Sequence, residues 1–180
     1  MKKELYQEIE IPEGVEVKLD RNVFSVKGVK GENKKRLNLA GLEFEIKDGK
    51  IKIGNKRASK KEKKMMNTIA SHIINMIGGV QEKFEYKLKI CSSHFPINVS
   101  MKGKEAEIKN FLGEKIPRKV KIPEGVEIEI NGEIITIKSS DKELAGQAAA
   151  NFEMITRIRA RDKRVFQDGI YITDKAGKKM

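Results

Sequence analysis

One order of local signals occurs twice along these 180 residues, and that repetition limits the architecture more than any other feature. Strand, basic turn, strand, hairpin and helix follow one another in the first half and again in the second. Gly31-Glu32 is matched by Gly113-Glu114, and the hairpin from Phe44 to Ile53 by the one from Ile128 to Ile137. Ser59-Lys60-Lys61-Glu62 is matched by Ser140-Asp141-Lys142-Glu143. A sharper but shorter match joins Ile11-Pro12-Glu13-Gly14-Val15-Glu16 to Ile122-Pro123-Glu124-Gly125-Val126-Glu127, yet extending it does not align the helices. It reads as a repeated way of starting a hairpin, where Pro sets φ and Gly takes the turn angle. The wider match predicts a duplication into residues 1–81 and 82–180, with the boundary near Gly79 to Glu82.

The local patterns predict an α+β fold in which each module is an antiparallel sheet with one packed helix. Val15, Val17 and Leu19 alternate with charged residues, turn at Arg21-Asn22, and continue at Phe24 and Val26, as in a hairpin. Phe44 and Ile46 lead through Asp48-Gly49 to Ile51 and Ile53, and Ile128 and Ile130 lead through Asn131-Gly132 to Ile135 and Ile137. Met66, Ile69, Ala70, Ile73, Ile74 and Ile77 share one face of a first helix, opened by the Ser59 capping box and closed at Gly78-Gly79. Leu144, Ala148, Phe152 and Ile155 form the stripe of a second, opened by the box at Ser140. From Arg161 onward the period is weak, and Lys175 to Met180 are expected to be disordered.

Charge narrows the function. Charged residues make up 36% of the chain, against about 25% in ordinary globular chains. Lys and Arg number 38 against 26 Asp and Glu, a formal net charge of +12, which favours a polyanionic partner. A single cysteine, Cys91, excludes an intrachain disulfide and fits a reducing compartment. The start, MKKELYQEIEIPEG, has no apolar run of signal-peptide length, and no stretch approaches the ~18 apolar residues of a membrane span. A cytoplasmic protein is the expectation.

Catalytic and metal signals are weak. Neither a nucleophile elbow, a paired-histidine zinc motif nor a phosphate loop is present. His72 reads as a partly exposed helix residue. His94, in Cys91-Ser92-Ser93-His94, is half a zinc site at best, since zinc takes about four ligands. Glu105 and Glu107 read as a solvated strand edge. No cofactor and no small-molecule substrate are expected.

The cation clusters carry more. Lys56, Arg57, Lys60, Lys61, Lys63 and Lys64 crowd a helix start, where the dipole disfavours cations by about 0.3–1 kcal/mol. Arg157, Arg159, Arg161, Lys163 and Arg164 form a second cluster beside two aromatics expected to be exposed, Phe166 and Tyr171. Arg binds phosphate bidentately and stacks on bases, so this segment suits irregular RNA. A smaller cluster spans Lys115 to Lys121.

The segment from Arg161 to Lys175, RDKRVFQDGIYITDK, resembles the C-terminal signature of large-subunit ribosomal protein six, in its archaeal and eukaryotic branch. The core from Arg164 to Ile172 is its most specific part, and IPEGVEV near the start, SSHFPINV at residues 92–99 and the two-module length agree with it. The resemblance covers essentially the whole chain. It implies two duplicated α+β domains and a structural rRNA-binding protein, not an enzyme, near the factor-binding region and sarcin-ricin loop. Its implied partners are large-subunit rRNA and neighbouring ribosomal proteins. Because the family's second domain makes most of the rRNA contact, Arg157, Arg159, Arg161, Lys163 and Arg164 become phosphate clamps. Ser93-His94-Phe95 and the loop from Lys115 to Arg118 become secondary contacts. Where the bacterial branch carries a lysine-glycine-rich tail, this chain has Lys163-Arg164-Val165-Phe166-Gln167-Asp168-Gly169. Competing readings are a nucleic-acid-binding regulator off the ribosome, an RNA-processing enzyme and, least of all, a membrane-surface binder, because the helices' apolar stripes are needed for their own cores.

Overall fold

The alternating and helical patterns become a duplicated arrangement in the computed structural model, which describes residues 3–47 and 49–180. The first half runs β1 (Lys3–Glu10), β2 (Glu16–Asp20), β3 (Val23–Gly28), β4 (Gly31–Arg36), β5 (Glu43–Lys47), β6 (Lys50–Ala58) and α1 (Lys60–Gln81). The second runs β7 (Phe84–Cys91), β8 (Asn98–Lys102), β9 (Glu105–Lys109), a 3₁₀ turn (Phe111–Gly113), β10 (Arg118–Lys121), β11 (Glu127–Asn131), β12 (Ile134–Ser139), α2 (Lys142–Ile155), β13 (Gly169–Lys175) and β14 (Lys178–Lys179). The chain divides between Lys83 and Phe84 into two compact units.

Among the described residues each unit has two antiparallel sheets and one α-helix. In the first, β6 lies between β1 and β5, and β3 between β2 and β4. In the second, β12 lies between β7 and β11, and β9 between β8 and β10, so the strand order repeats strand for strand. The two IPEG segments fall at non-equivalent places, between β1 and β2 and between β10 and β11. The second unit also covers the remaining edge of β7 with β13, which pairs in turn with β14. The end of the chain is therefore ordered: Lys178 and Lys179 pair with Lys175 and Asp174, and the Met180 N–H donates to the Thr173 carbonyl at 2.9 Å. Asp48, half of the expected Asp-Gly turn, lies outside the described residues; Gly49 has a φ of 71°.

Both helices open as their sequences require, with one shift. Ser59 caps α1, and the Glu62 carboxylate accepts from the Ser59 N–H at 2.8 Å, which completes the capping box. In α2 the cap is Asp141, not Ser140, because its carboxylate accepts from the Glu143 N–H at 2.8 Å. Gly78-Gly79 does not end α1. The helix continues to Gln81 because the turn after β3 meets it, with the Lys30 N–H donating to the otherwise orphaned Val80 carbonyl at 2.9 Å.

The buried stripes are narrower than the sequence pattern suggests. At about 100° per residue, Ile74 lies well off the line through Met66, Ile73, Ile77 and Val80, and it is exposed. On α2 the buried line is Ala145, Ala148, Ala149 and Phe152, and Leu144 moves to its flank. The alanines bring α2 close over β7, β12 and β13. Phe24, Ile51, Ile53 and Ile73 fill the first core, and Leu88, Ile108, Ile135, Phe152 and Ile170 the second. Each such side chain contributes about 1.5–3 kcal/mol. Glu107, expected on a solvated edge, sits on the central strand β9 and is buried, with its carboxylate 2.8 Å from Lys102 Nζ. That hydrogen bond holds the Glu107 carboxyl below the usual carboxylate range.

Gly54 is set by a close approach: a Cβ there would overlap the Tyr6 ring and the Leu5 carbonyl on β1. Gly54→Ala is expected to lower the stability of the first unit by about 1–3 kcal/mol, as overpacking does. Urea unfolding followed by first-unit NMR signals checks this; an unshifted midpoint would show that β1 yields freely.

Candidate nucleic-acid interface

The main cation cluster begins where α2 stops. Thr156, only 3% exposed, follows the last helical residue. Its hydroxyl donates back to the Phe152 carbonyl at 3.1 Å and accepts from the Ile170 N–H on β13 at 3.0 Å. The helix end and the strand start are thereby joined, and residues 157–168 form a loop that leaves and re-enters the core at one place. Ile158 is buried between exposed Arg157 and Arg159, so the alternation puts both guanidinium groups on the outer side.

The rest of the loop closes on itself. The Asp162 carbonyl accepts from the Phe166 N–H at 2.9 Å, and its carboxylate from the Arg164 N–H at 2.9 Å. Lys163 and Arg164 sit on this turn, exposed. Phe166, expected to be exposed, is half-buried against the core, and the Arg161 guanidinium lies over its ring, 4.8 Å from the centroid. Tyr171 remains 41% exposed, with its hydroxyl donating to the Gln167 carbonyl at 3.1 Å. Burial of its ring pushes the Tyr171 phenol up from its ordinary value.

Two further loops converge on this one. Asp168, 3% exposed, accepts from both the Ser93 N–H and the Ser93 hydroxyl at 2.7 Å, which ties the His94 loop to the Arg loop. His94 itself is exposed and edge-on to Phe95, with centroids 4.7 Å apart. Phe95 in turn packs over Gly113, and the Asn110 side-chain amide donates to the Pro96 carbonyl at 3.1 Å. Lys115 stands exposed in the loop that follows.

Arg118, expected as a secondary contact, has partners within the protein. Nε and Nη2 donate to the two Glu114 carboxylate oxygens at 2.8 and 2.5 Å, Nη1 donates to the Ile155 carbonyl, and the guanidinium lies 4.3 Å from the Phe111 centroid. Its fork closes the C-terminal end of α2 and is largely spent inside the protein. The same side chain lines a cleft of about 480 Å³ with Arg157, Arg159 and Arg161. A second cleft of about 300 Å³, between Met154, Arg157, Lys163 and Tyr171, lies beside it. Arg157, Arg159, Arg161 and Lys163 thus line two adjoining clefts, Arg164 stands on the turn beside them, Arg118 bonds to the end of α2, and His94 and Lys115 stand on adjoining loops. Thr156 escapes a sequence reading, and Asp168 and Ser93, visible there only as part of longer segments, give no sign that they bond to each other.

Among the described residues no group of three or more His, Cys, Asp or Glu could hold a metal ion, and no helix is long and apolar enough to cross a membrane. A duplicated α+β scaffold with a cation-rich loop fixed on its second unit defines a class of basic two-module proteins.

Comparison with known proteins gives the family. The model described as "Ribosomal protein L6" matches residues 11–83 and 95–169, one match for each module. The chain is similar to "Large ribosomal subunit protein uL6" of Methanococcus vannielii, 45% identical over 96% of this chain and 94% of that protein. It is similar to the protein of the same name from Archaeoglobus fulgidus, 44% identical over 96% of this chain and 91% of that one. The chain belongs to the ribosomal protein L6 family.

The Glu114–Arg118 pair makes a pH-dependent contribution. The hydrogen bond from Arg118 holds the Glu114 carboxyl below its ordinary value of 4.5, against an opposing effect of burial. A carboxyl depressed in the folded state stabilises in full above its unfolded value, and that contribution is lost as pH falls through the folded one. Glu114→Gln is therefore expected to lie below the parent in stability at neutral pH and to converge with it in acid. Urea midpoints measured across pH check this; a gap constant with pH would contradict it.

Proposed function

We propose that this chain is a structural constituent of the large ribosomal subunit, without catalytic activity, that binds large-subunit rRNA through its second domain, residues 82–180, and so supports translation. Both relatives carry the large subunit in their names, and the family supplies the expectation of rRNA contact. The observation that carries the reading is the loop 157–168, where five exposed cations project from a backbone held at Thr156, Ile158 and Asp168.

Arg157, Arg159, Arg161, Lys163 and Arg164 neutralise phosphates and release counterions. The Arg161 plane, backed by Phe166, offers a face on which a splayed base stacks, and Tyr171 offers a second. His94 and Lys115 reach flanking backbone, and Arg118 keeps the loop in place. Neighbouring ribosomal proteins are the further partners, the factor-binding region and sarcin-ricin loop the location, and cytoplasmic ribosomes the compartment.

Replacing the five cations with Ala is expected to abolish most rRNA affinity. The plot of log K against log salt should become shallower by about 0.9 for each duplex phosphate that is no longer neutralised. Filter binding to a large-subunit rRNA fragment over a salt series measures both. Unchanged affinity and slope would remove the loop from the interface.

A further inference from the structure

The first unit carries a basic feature of different chemistry. Lys61, Lys64, Met65, Ile69 and His72 follow one another along α1 at spacings of one, three and four residues, so they share a face. Opposite stand Lys35, Arg36 and Leu37, at the end of β4 and just after it. Between the two walls lies a groove of about 470 Å³. β4 is an edge strand, and among the described residues no other strand pairs along its outer side.

The floor of this groove is aliphatic: Leu37 and Ile69 are buried, and Met65 is half-buried beside them. Its rim is cationic, with Arg36, Lys61 and Lys64 exposed. Lys35 Nζ meets His72 Nδ1 at 3.3 Å and bridges the walls at the His72 end. Among the described residues no carboxylate and no Phe, Tyr or Trp lines the groove.

We propose that this groove docks an acidic, amphipathic segment of a partner protein, with an aliphatic side chain on the Leu37–Met65–Ile69 floor and carboxylates on the surrounding cations. Charge complementarity selects an anionic occupant. RNA fits less well, because the groove offers an unpaired base no Phe, Tyr or Trp face, only the His72 ring already engaged with Lys35 and the single Arg36 plane, and three of its four Lys and Arg side chains are Lys, flexible point charges without the planar fork. An aliphatic floor with an adaptable thioether suits a leucine-like anchor. The second unit shows the opposite pairing, Arg with aromatic rings, which sets the two surfaces apart.

The test is an NMR titration of the isotope-labelled full chain with a short peptide alternating Glu and Leu, its Glu-Ser counterpart, and an oligouridylate of equal charge. The Glu-Leu peptide should bind saturably, shift signals from residues 35–38 and 61–72, and bind about tenfold more tightly than the Glu-Ser peptide. Lys61→Glu with Lys64→Glu should weaken it by about tenfold or more, in a variant that folds because acidic residues suit the first turns of a helix. Met65→Gln should remove the advantage of Leu over Ser. Equal binding of the two peptides, shifts centred on residues 157–164, or tighter binding of the oligouridylate in the groove would each overturn the proposal. Equal binding of the two peptides would leave the rRNA reading untouched, since that face lies on residues 157–164 of the other unit, and the location of the shifts tells the two surfaces apart.

Discussion

The Thr156 hydroxyl governs the second unit. It ends α2 by turning back to the Phe152 carbonyl, and it receives the Ile170 N–H that opens β13. Without that junction the buried Ile170 N–H would lose this partner, and only the pairing with β7 would hold the start of β13. With it, the chain between must leave and return at one point, and a run of five cations becomes a loop of defined shape. Buried Ile158 and Asp168 add two more anchors along the same loop.

Gathering cations has a cost that the fold offsets in part and leaves in part. Arg118 is neutralised by Glu114 and donates to the end of α2, where positive charge is favoured. Arg161 rests on Phe166. Arg157, Arg159, Lys163 and Arg164 remain at the surface, and Arg164 lies 3.5 Å from the Asp162 carboxylate. Like charges held this way favour a partner that supplies the missing negative charge, which is the physical content of the rRNA reading. The first unit solves a similar problem with Ser59 and Glu62, whose capping box anchors a helix start crowded with Lys.

What was legible in the sequence was local. Hairpin alternation, the capping box at Ser59 and the helical stripes each depend on neighbours within a few residues, and the duplicated order is a comparison of such local signals. The misreadings concern distant partners. Gly78-Gly79 looks like a helix end until Lys30 supplies a donor to Val80. Glu107 looks solvated until β8 and β10 flank β9. The tail looks weakly patterned because β13 is defined by β7, some eighty residues earlier, and β14 by β13. The candidate site divides in the same way. Its Arg and Lys residues are visible as composition, whereas the bonds that order them, Asp168 to Ser93 and Thr156 to Ile170, join positions that no local pattern connects.

The central claim is that buried hydrogen bonds, and not charge alone, make the loop a binding surface. Asp168→Ala separates the two, because it removes the Ser93 anchor while leaving all five cations and making the chain more positive by one charge. Binding of a large-subunit rRNA fragment at fixed salt is the measurement, with stability followed in parallel so that folded protein is compared. The account predicts weaker binding despite the added positive charge. Equal or tighter binding would contradict it and leave charge as the whole explanation.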